Sequence, residues 1–545
     1  MTSRNMYRTI FIALTALAVL GLGAGAPRLA GRAGARPTPA PADIPEREAR
    51  RAMQWLFSGR TTSALAHVDS LAAHYGGEPL FHLLRARLYR ERLPVDDEKK
   101  DDVSTLAAPL YDDLDHVIAT CSERIEAGDK DPRLRLYRGW AFMFSSHVRT
   151  FERSFWPAGR LAKKGEQDLE WYLEQEPLDP VANSIMGAFL YFADTLPAAY
   201  KFLSKLLFLP GGDRDRGLEM MELARGWNSL LEVDNNLILY SVYLGFEGHY
   251  EDGLHGFAAL RRDYPDHATF LRPDAIMLPL VPLHVLEDEI ALDDSVERIA
   301  LLHGGEVDWA TLTLIRFMRA YDDRFYHPRR AKSRFETIIE EAPEHPDWAA
   351  GYARFELGRM AAARGEFERA RALFLAVTEE PRWEYLHGEA RGMIEALARG
   401  ERAGGLGPEG SWKIYARNAE AIARIVSDVH GKDEPSAADL FYLGEALLAQ
   451  GAVDEALAAY ERALAAGAAR WDEAFLMIAA ARAGEIHGLH GAYAAAEERY
   501  REAARYWHKE FLYDWVLEGR RRYYERLRDG KETIEPTLLA ARLAP

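Results

Sequence analysis

The chain has little of what a metal or redox protein needs. Among 545 residues there is one cysteine, Cys121. That excludes an intramolecular disulfide, a Cys-rich metal site and, so far from the amino terminus, a lipoprotein anchor. Basic charge is short as well: 68 Lys and Arg stand against 85 Asp and Glu, for a net charge of -17. Phosphate binding needs a basic stripe, so no nucleic-acid partner is expected. No run alternates apolar and polar residues long enough to suggest strand. His-Glu-x-x-His, a phosphate-loop signature and a Ser/His/Asp spacing above chance are all missing. The 17 histidines are scattered: His249 and His255 are spaced poorly for one metal, and His487 and His490 flank a glycine turn. The expectation is a protein without cofactor, metal or catalytic residues.

What the chain does have is a recurring spacing. Leu443-Gly444, Gly451, Ala456, Tyr460 and Ala463 are echoed upstream by Leu357-Gly358, Gly365, Phe367, Ala370 and Phe374. Small residues let two antiparallel helices approach, a glycine ends the first helix, and aromatics fill the gap between hairpins. In this register Gly444 and Ala456 lie face to face where the helices cross. The pattern resembles the tetratricopeptide (TPR) hairpin. The resemblance implies an all-α, superhelical array of TPR-like hairpins that offers binding surface and carries no chemistry of its own.

Along the chain, Arg4 and Arg8 precede an apolar run from Ile10 to Ala26, the pattern of an export signal. At 17 residues the run is at the lower edge of the about 17 to 25 that span a bilayer. Ala24-Gly25-Ala26 offers a cleavage site but is followed by Pro27; Ala33-Gly34-Ala35 lies farther off. Residues 1–26 therefore read as a signal peptide or a signal anchor, and residues 27–45, rich in Pro, Ala and Gly, as a disordered linker. Residues 46–271 read as an irregular N-terminal array, 272–307 as a proline-interrupted connector, 308–505 as the regular C-terminal array and 506–545 as terminal capping helices. The polar run Asp96 to Asp102 reads as a solvated loop, and Arg520-Arg521-Arg522 as a solvated helix face.

Within the irregular part, a helix, the apolar stretch 196–209, the turn Gly211-Gly212-Asp213-Arg214, a Gly-Leu helix and a repeat ending in Tyr264-Pro265 follow in order. Residues 165–267 resemble a segment of bacterial exported TPR proteins and, more distantly, a eukaryotic TPR-like family of mitochondrial outer-membrane and inclusion-body clearance proteins. The resemblance implies an interaction module and assigns no catalytic residue. The 210–217 turn opens a helix and has the geometry to cradle an anion, but it lacks a phosphate-loop Lys-Ser/Thr. It reads as a tight turn with Asp213 or Asp215 as cap. Cys121 reads as a buried, inert thiol.

TPR proteins that bind peptides do so on the inner side of each first helix. Here that side carries Tyr352, Phe355 and Arg359 in one repeat and Phe441, Glu445 and Leu448 in another. The Lys and Asn that clamp a C-terminal carboxylate are absent, which argues against chaperone tails. These six residues are the candidate groove for a peptide or protein partner, with packing between hairpins as their other reading. The expected function is a non-enzymatic scaffold, exported to the periplasm or cell envelope and possible to tether through residues 10–26. Its rivals are a structural subunit of an envelope assembly and an enzyme with a divergent site in residues 182–307.

Overall fold

Side-chain caps and left-handed glycines set the helix ends. Ser436 opens one helix by accepting from the Asp439 amide at 3.2 Å while the Asp439 carboxylate accepts from the Ser436 amide at 3.0 Å, a reciprocal capping box. Gly451, at φ +79°, reverses the chain into the next helix, as Gly365 does at φ +78°; a side chain is strained there. Asp213 is the cap of its own helix, accepting from the Arg216 amide at 3.1 Å. Gly212 beside it lets the turn lie against the preceding helix, where a Cβ would fall 1.9 Å from the Asp194 nitrogen.

The computed structural model describes residues 44–532 apart from 77, 91–99, 153, 196–210, 272–308, 342–346, 402–413, 415–417, 467–470 and 507–512. The expected signal or anchor, most of the linker, the connector and the apolar stretch 196–209 lie outside the described residues. Among the described residues there are 21 α-helices and no strand. None is long and apolar enough to cross a membrane. The fold is an all-α array of helical hairpins.

Two compact units meet in sequence at Val242. The first holds α1 (Ile44–Phe57), α2 (Thr61–His74), α3 (Pro79–Arg90), α4 (Lys100–Glu126), α5 (Arg133–Phe151), α6 (Phe155–Gln175), α7 (Pro180–Thr195), α8 (Arg214–Ala224) and α9 (Glu232–Val242). Residues 100–102, expected in a loop, begin α4 instead, and Ile44 and Pro45, expected in the linker, begin α1. Neighbours in sequence are neighbours in space: α5 packs on α6 and α7 on α8.

The second unit opens with a π-helical turn, Tyr243–Glu247, followed by α10 (Tyr250–Asp263). Then come α11 (Trp309–Tyr326), α12 (Pro328–Glu340), α13 (Asp347–Ala363), α14 (Phe367–Glu379), α15 (Glu384–Ala398), α16 (Ala419–His430), α17 (Ala437–Ala449), α18 (Val453–Ala466), α19 (Glu473–Leu489), α20 (Tyr493–Ala503) and α21 (Tyr513–Arg528). Residues 243–250 fall in the second unit, where they pack on α21. The Tyr250 hydroxyl donates to the Val516 carbonyl at 3.2 Å, and a Cβ on Gly519 would lie 2.5 Å from the Gly245 carbonyl.

Candidate functional site

The six groove candidates are inside the protein. Phe355 and Phe441 are fully buried, and Tyr352, Arg359, Glu445 and Leu448 nearly so. Their own chain covers them. The Phe325 ring of α11 packs 6.4 Å from Phe441 and 5.3 Å from Phe475 between centroids, and the Tyr442 hydroxyl donates to the Phe325 carbonyl at 2.6 Å. Arg359 of α13 donates to the Trp471 carbonyl at 3.4 Å. The inner faces of α11 and α13 thus meet those of α17 and α19, and these side chains pack between helices rather than lining an open groove. A ring that size contributes about 2 to 3 kcal/mol by leaving water, so aromatic periodicity there reports core.

Glu445 belongs to a charged seam that the aromatic pattern did not reveal. A Cβ on Gly444 would come 2.5 Å from the Tyr460 ring, so Gly444 faces Tyr460. That contact aims the Tyr460 hydroxyl at Glu445, to which it donates at 2.6 Å. Arg482 of α19 donates its Nε to the same carboxylate oxygen at 2.9 Å. One hairpin on, the arrangement recurs: Gly484 sits under the Tyr500 ring, Tyr500 donates to Glu485, and Arg520 of α21 forms a bidentate pair with Glu485 at 2.7 and 2.8 Å. Burial alone would raise the Glu485 carboxyl, but Arg520 and the Tyr500 hydroxyl hold it below its ordinary range. Burial, with Glu485 next, pushes the Tyr500 phenol well up. The sequence signal was present, since both Glu-to-Tyr links span 15 residues.

The seam corrects the reading of Arg520-Arg521-Arg522 as a solvated face. Arg520 is buried and also donates to the Gly248 carbonyl, while Arg521 joins Glu518 and Glu497. In the repeat of α13 and α14 the seam changes chemistry. Gly358 still lies under a ring, but that ring is Phe374, and the residue after the glycine is Arg359, facing Glu473 at 3.7 Å and Glu356 at 3.6 Å.

Glu247, His249 and Glu532 bring possible metal ligands within 4.8 Å of one another. Arg526 lies on both carboxylates, at 3.1 Å from Glu247 and 3.0 Å from Glu532. Despite burial, His249 and Arg526 lower the Glu532 carboxyl to about 2. A guanidinium already bridges the two carboxylates, so the cluster reads as an ion network.

The first unit has its own buried pairs. Arg87 of α3 reaches Asp234 of α9 at 2.7 Å, and Asp113 of α4 takes His82 at 2.8 Å and Arg85 at 2.6 and 2.8 Å. Cys121 is buried, and desolvation lifts its thiol to about 12. It is a thiol held in its protonated, unreactive form. The exposed side of this unit is different in kind. Trp156 and Trp171 on α6 are 51% and 38% exposed, and Arg160, Lys163, Lys164 and Gln167 are exposed between them. The Arg135 guanidinium stacks 4.6 Å over Trp171.

No known protein family matches the chain, and no curated protein does. Among solved structures, a human IFIT1 dimer with PPP-AAAA aligns over 79% of this chain and 96% of that one, at 13% identity and a TM-score of 0.25. A likeness that loose carries no argument, and the fold rests on the helices and hairpins described above.

Proposed function

We propose that this chain is a non-enzymatic interaction scaffold of the bacterial cell envelope, exported and held at the membrane by residues 10–26, with a protein or peptide partner on its outer faces. One observation carries the reading. The interior charges of the second unit join successive hairpins, Glu445 to Arg482 and Glu485 to Arg520, so they serve assembly of the array. With the inner faces filled, contact with a partner falls to exposed surfaces. On α14, Phe367 and Leu375 are exposed with exposed Arg371 between them, at four-residue steps that place all three on one helical face. Support for the location is the Arg-flanked apolar run and the order of elements shared with bacterial exported TPR proteins over residues 165–267.

The test is affinity purification of the full chain from envelope fractions. A protein partner should be retained, and Phe367→Asp with Leu375→Asp should weaken retention. Recovery of the chain alone in every fraction would remove the scaffold reading, and a full-length cytoplasmic product would remove the location.

A further inference from the structure

The exposed cations in the middle of α6 share one face. At about 100° per residue, Trp156, Arg160, Lys163, Lys164, Gln167 and Trp171 fall within one arc of about 100°, a stripe roughly 22 Å long. Three cations stand between two exposed tryptophans in a chain whose net charge is -17. Three of the four acids from Glu166 to Glu174 lie off this arc, and the fourth, exposed Glu174, returns to it one turn past Trp171. Asp168 is buried and held by Arg138 at 2.6 and 2.8 Å, Glu166 and Glu170 are half-buried at the flank, and exposed Glu174 closes the C-terminal end. Burial raises the Glu170 carboxyl, and Arg216 from α8 acts on it in the opposite sense.

The turn after α6 also feels a charge from near the start of the folded chain. Asp179, in the turn after α6, accepts from the Ala182 amide at 2.8 Å and from the Tyr172 hydroxyl at 3.1 Å. Its carboxyl is raised first by burial and also by the charge of Glu46 in the first turn of α1. Glu46, near the start of the folded chain, thus acts on the turn that follows α6, where Leu178 is exposed too. Only 17 residues, 27–43, separate the start of the folded chain from the apolar run.

We propose that the Trp156–Trp171 face of α6 rests on an anionic lipid surface. Indole rings settle at the headgroup level, and lysine and arginine beside them are drawn to anionic lipid. The charge of the face selects an anionic occupant, its two tryptophans suit a water-lipid boundary, and the short link to residues 10–26 supplies such a boundary at high local concentration. The inference uses the tether reading for that last step alone.

The experiment places an environment-sensitive dye at Lys163→Cys in the full chain; buried Cys121 leaves the new thiol as the reactive one. The protein is mixed with vesicles of phosphatidylcholine, or of phosphatidylcholine with one lipid in three replaced by phosphatidylglycerol, each carrying a brominated-lipid quencher. Quenching is expected with anionic vesicles only and should fade with salt. Arg160→Glu and Lys164→Glu added to the labelled protein should weaken it by about 30-fold, and the unlabelled triple reversal R160E/K163E/K164E should lower lipid affinity by about 100-fold or more. Circular dichroism of each variant should match the wild type, since all three positions are exposed. Equal quenching in both vesicle types, or no loss in the reversal variants, overturns the proposal. So does a dye that ignores vesicles yet responds to a soluble polyanion such as polyglutamate or RNA. Flotation with neutral vesicles reports the tether separately: neutral flotation with no quenching on anionic vesicles defeats the α6 contact, and quenching on anionic vesicles without neutral flotation defeats the tether alone.

Discussion

The two units use glycine against different neighbours. In the first, glycine faces glycine: a Cβ on Gly187 would lie 2.7 Å from the Gly217 carbonyl and one on Gly217 2.5 Å from the Gly187 carbonyl, while one on Gly165 would meet the Met143 side chain at 2.7 Å and the Gly139 carbonyl at 2.9 Å. In the regular repeats of the second, glycine faces a ring, as Gly358 does Phe374, Gly444 does Tyr460 and Gly484 does Tyr500, while Gly519 against the Gly245 backbone keeps the first unit's solution. Backbone against backbone lets helices approach closely but leaves nothing free to move. A ring against a helix fills the same space with an adjustable side chain, and in two repeats its hydroxyl orients a buried glutamate. The regular repeat signature is the second solution.

The largest test of this difference is Glu485→Gln. It leaves Arg520 buried without a counter-charge and should destabilise the second unit by about 3 to 5 kcal/mol, with segment-resolved hydrogen exchange unchanged over α5 to α8. The pH dependence has a definite sign. The folded carboxyl lies below its ordinary value, so its contribution is whole above the unfolded pKa of about 4.3 and is lost as pH falls through the folded value. Urea midpoints in acid should therefore fall for the wild type, with less further loss for E485Q. Next in size, Tyr460→Phe removes a hydrogen bond to a charged group and should cost about 1.5 to 3 kcal/mol. An unchanged midpoint would mean that the seam works like the Phe374 repeat, through packing alone.

The smallest effects bear on the glycines themselves. Gly187→Ala should overpack by about 2 to 3 kcal/mol, less about 1 kcal/mol regained in helix propensity. Gly444→Ala should come out near zero, because the Tyr460 ring can give way while propensity improves. Equal unfolding midpoints for the two variants would erase the distinction between the units.

How much was legible follows from the same contrast. The repeat at Leu443 to Ala463 could be read because a ring-on-glycine contact fixes residue types at fixed offsets. In the first unit, contacts of backbone with backbone leave only lone glycines in the sequence, so Gly187 and Gly217 do not advertise their partnership. The groove residues were read as one face of each first helix, and that face is buried. What the sequence could not show was the contact of Phe325 with Phe441 and Phe475, made between helices more than a hundred residues apart. Arg520 was misread for the same reason, since its partners Glu485 and Gly248 come from two distant segments.

The contact between residues 243–250 and α21 sets a clock on synthesis. Tyr250 waits for Val516, 266 residues later in the chain. At about 5 to 20 residues per second, that interval is roughly 13 to 53 s. Until then the Gly245 carbonyl has no Gly519 against it, and Glu485 stands without Arg520. Hairpins behind it can close one by one as they emerge, but Glu485 acquires its buried counter-charge only once α21 has been made. A nascent chain stalled before residue 513 should therefore be far more open to protease around Gly248 than the released protein.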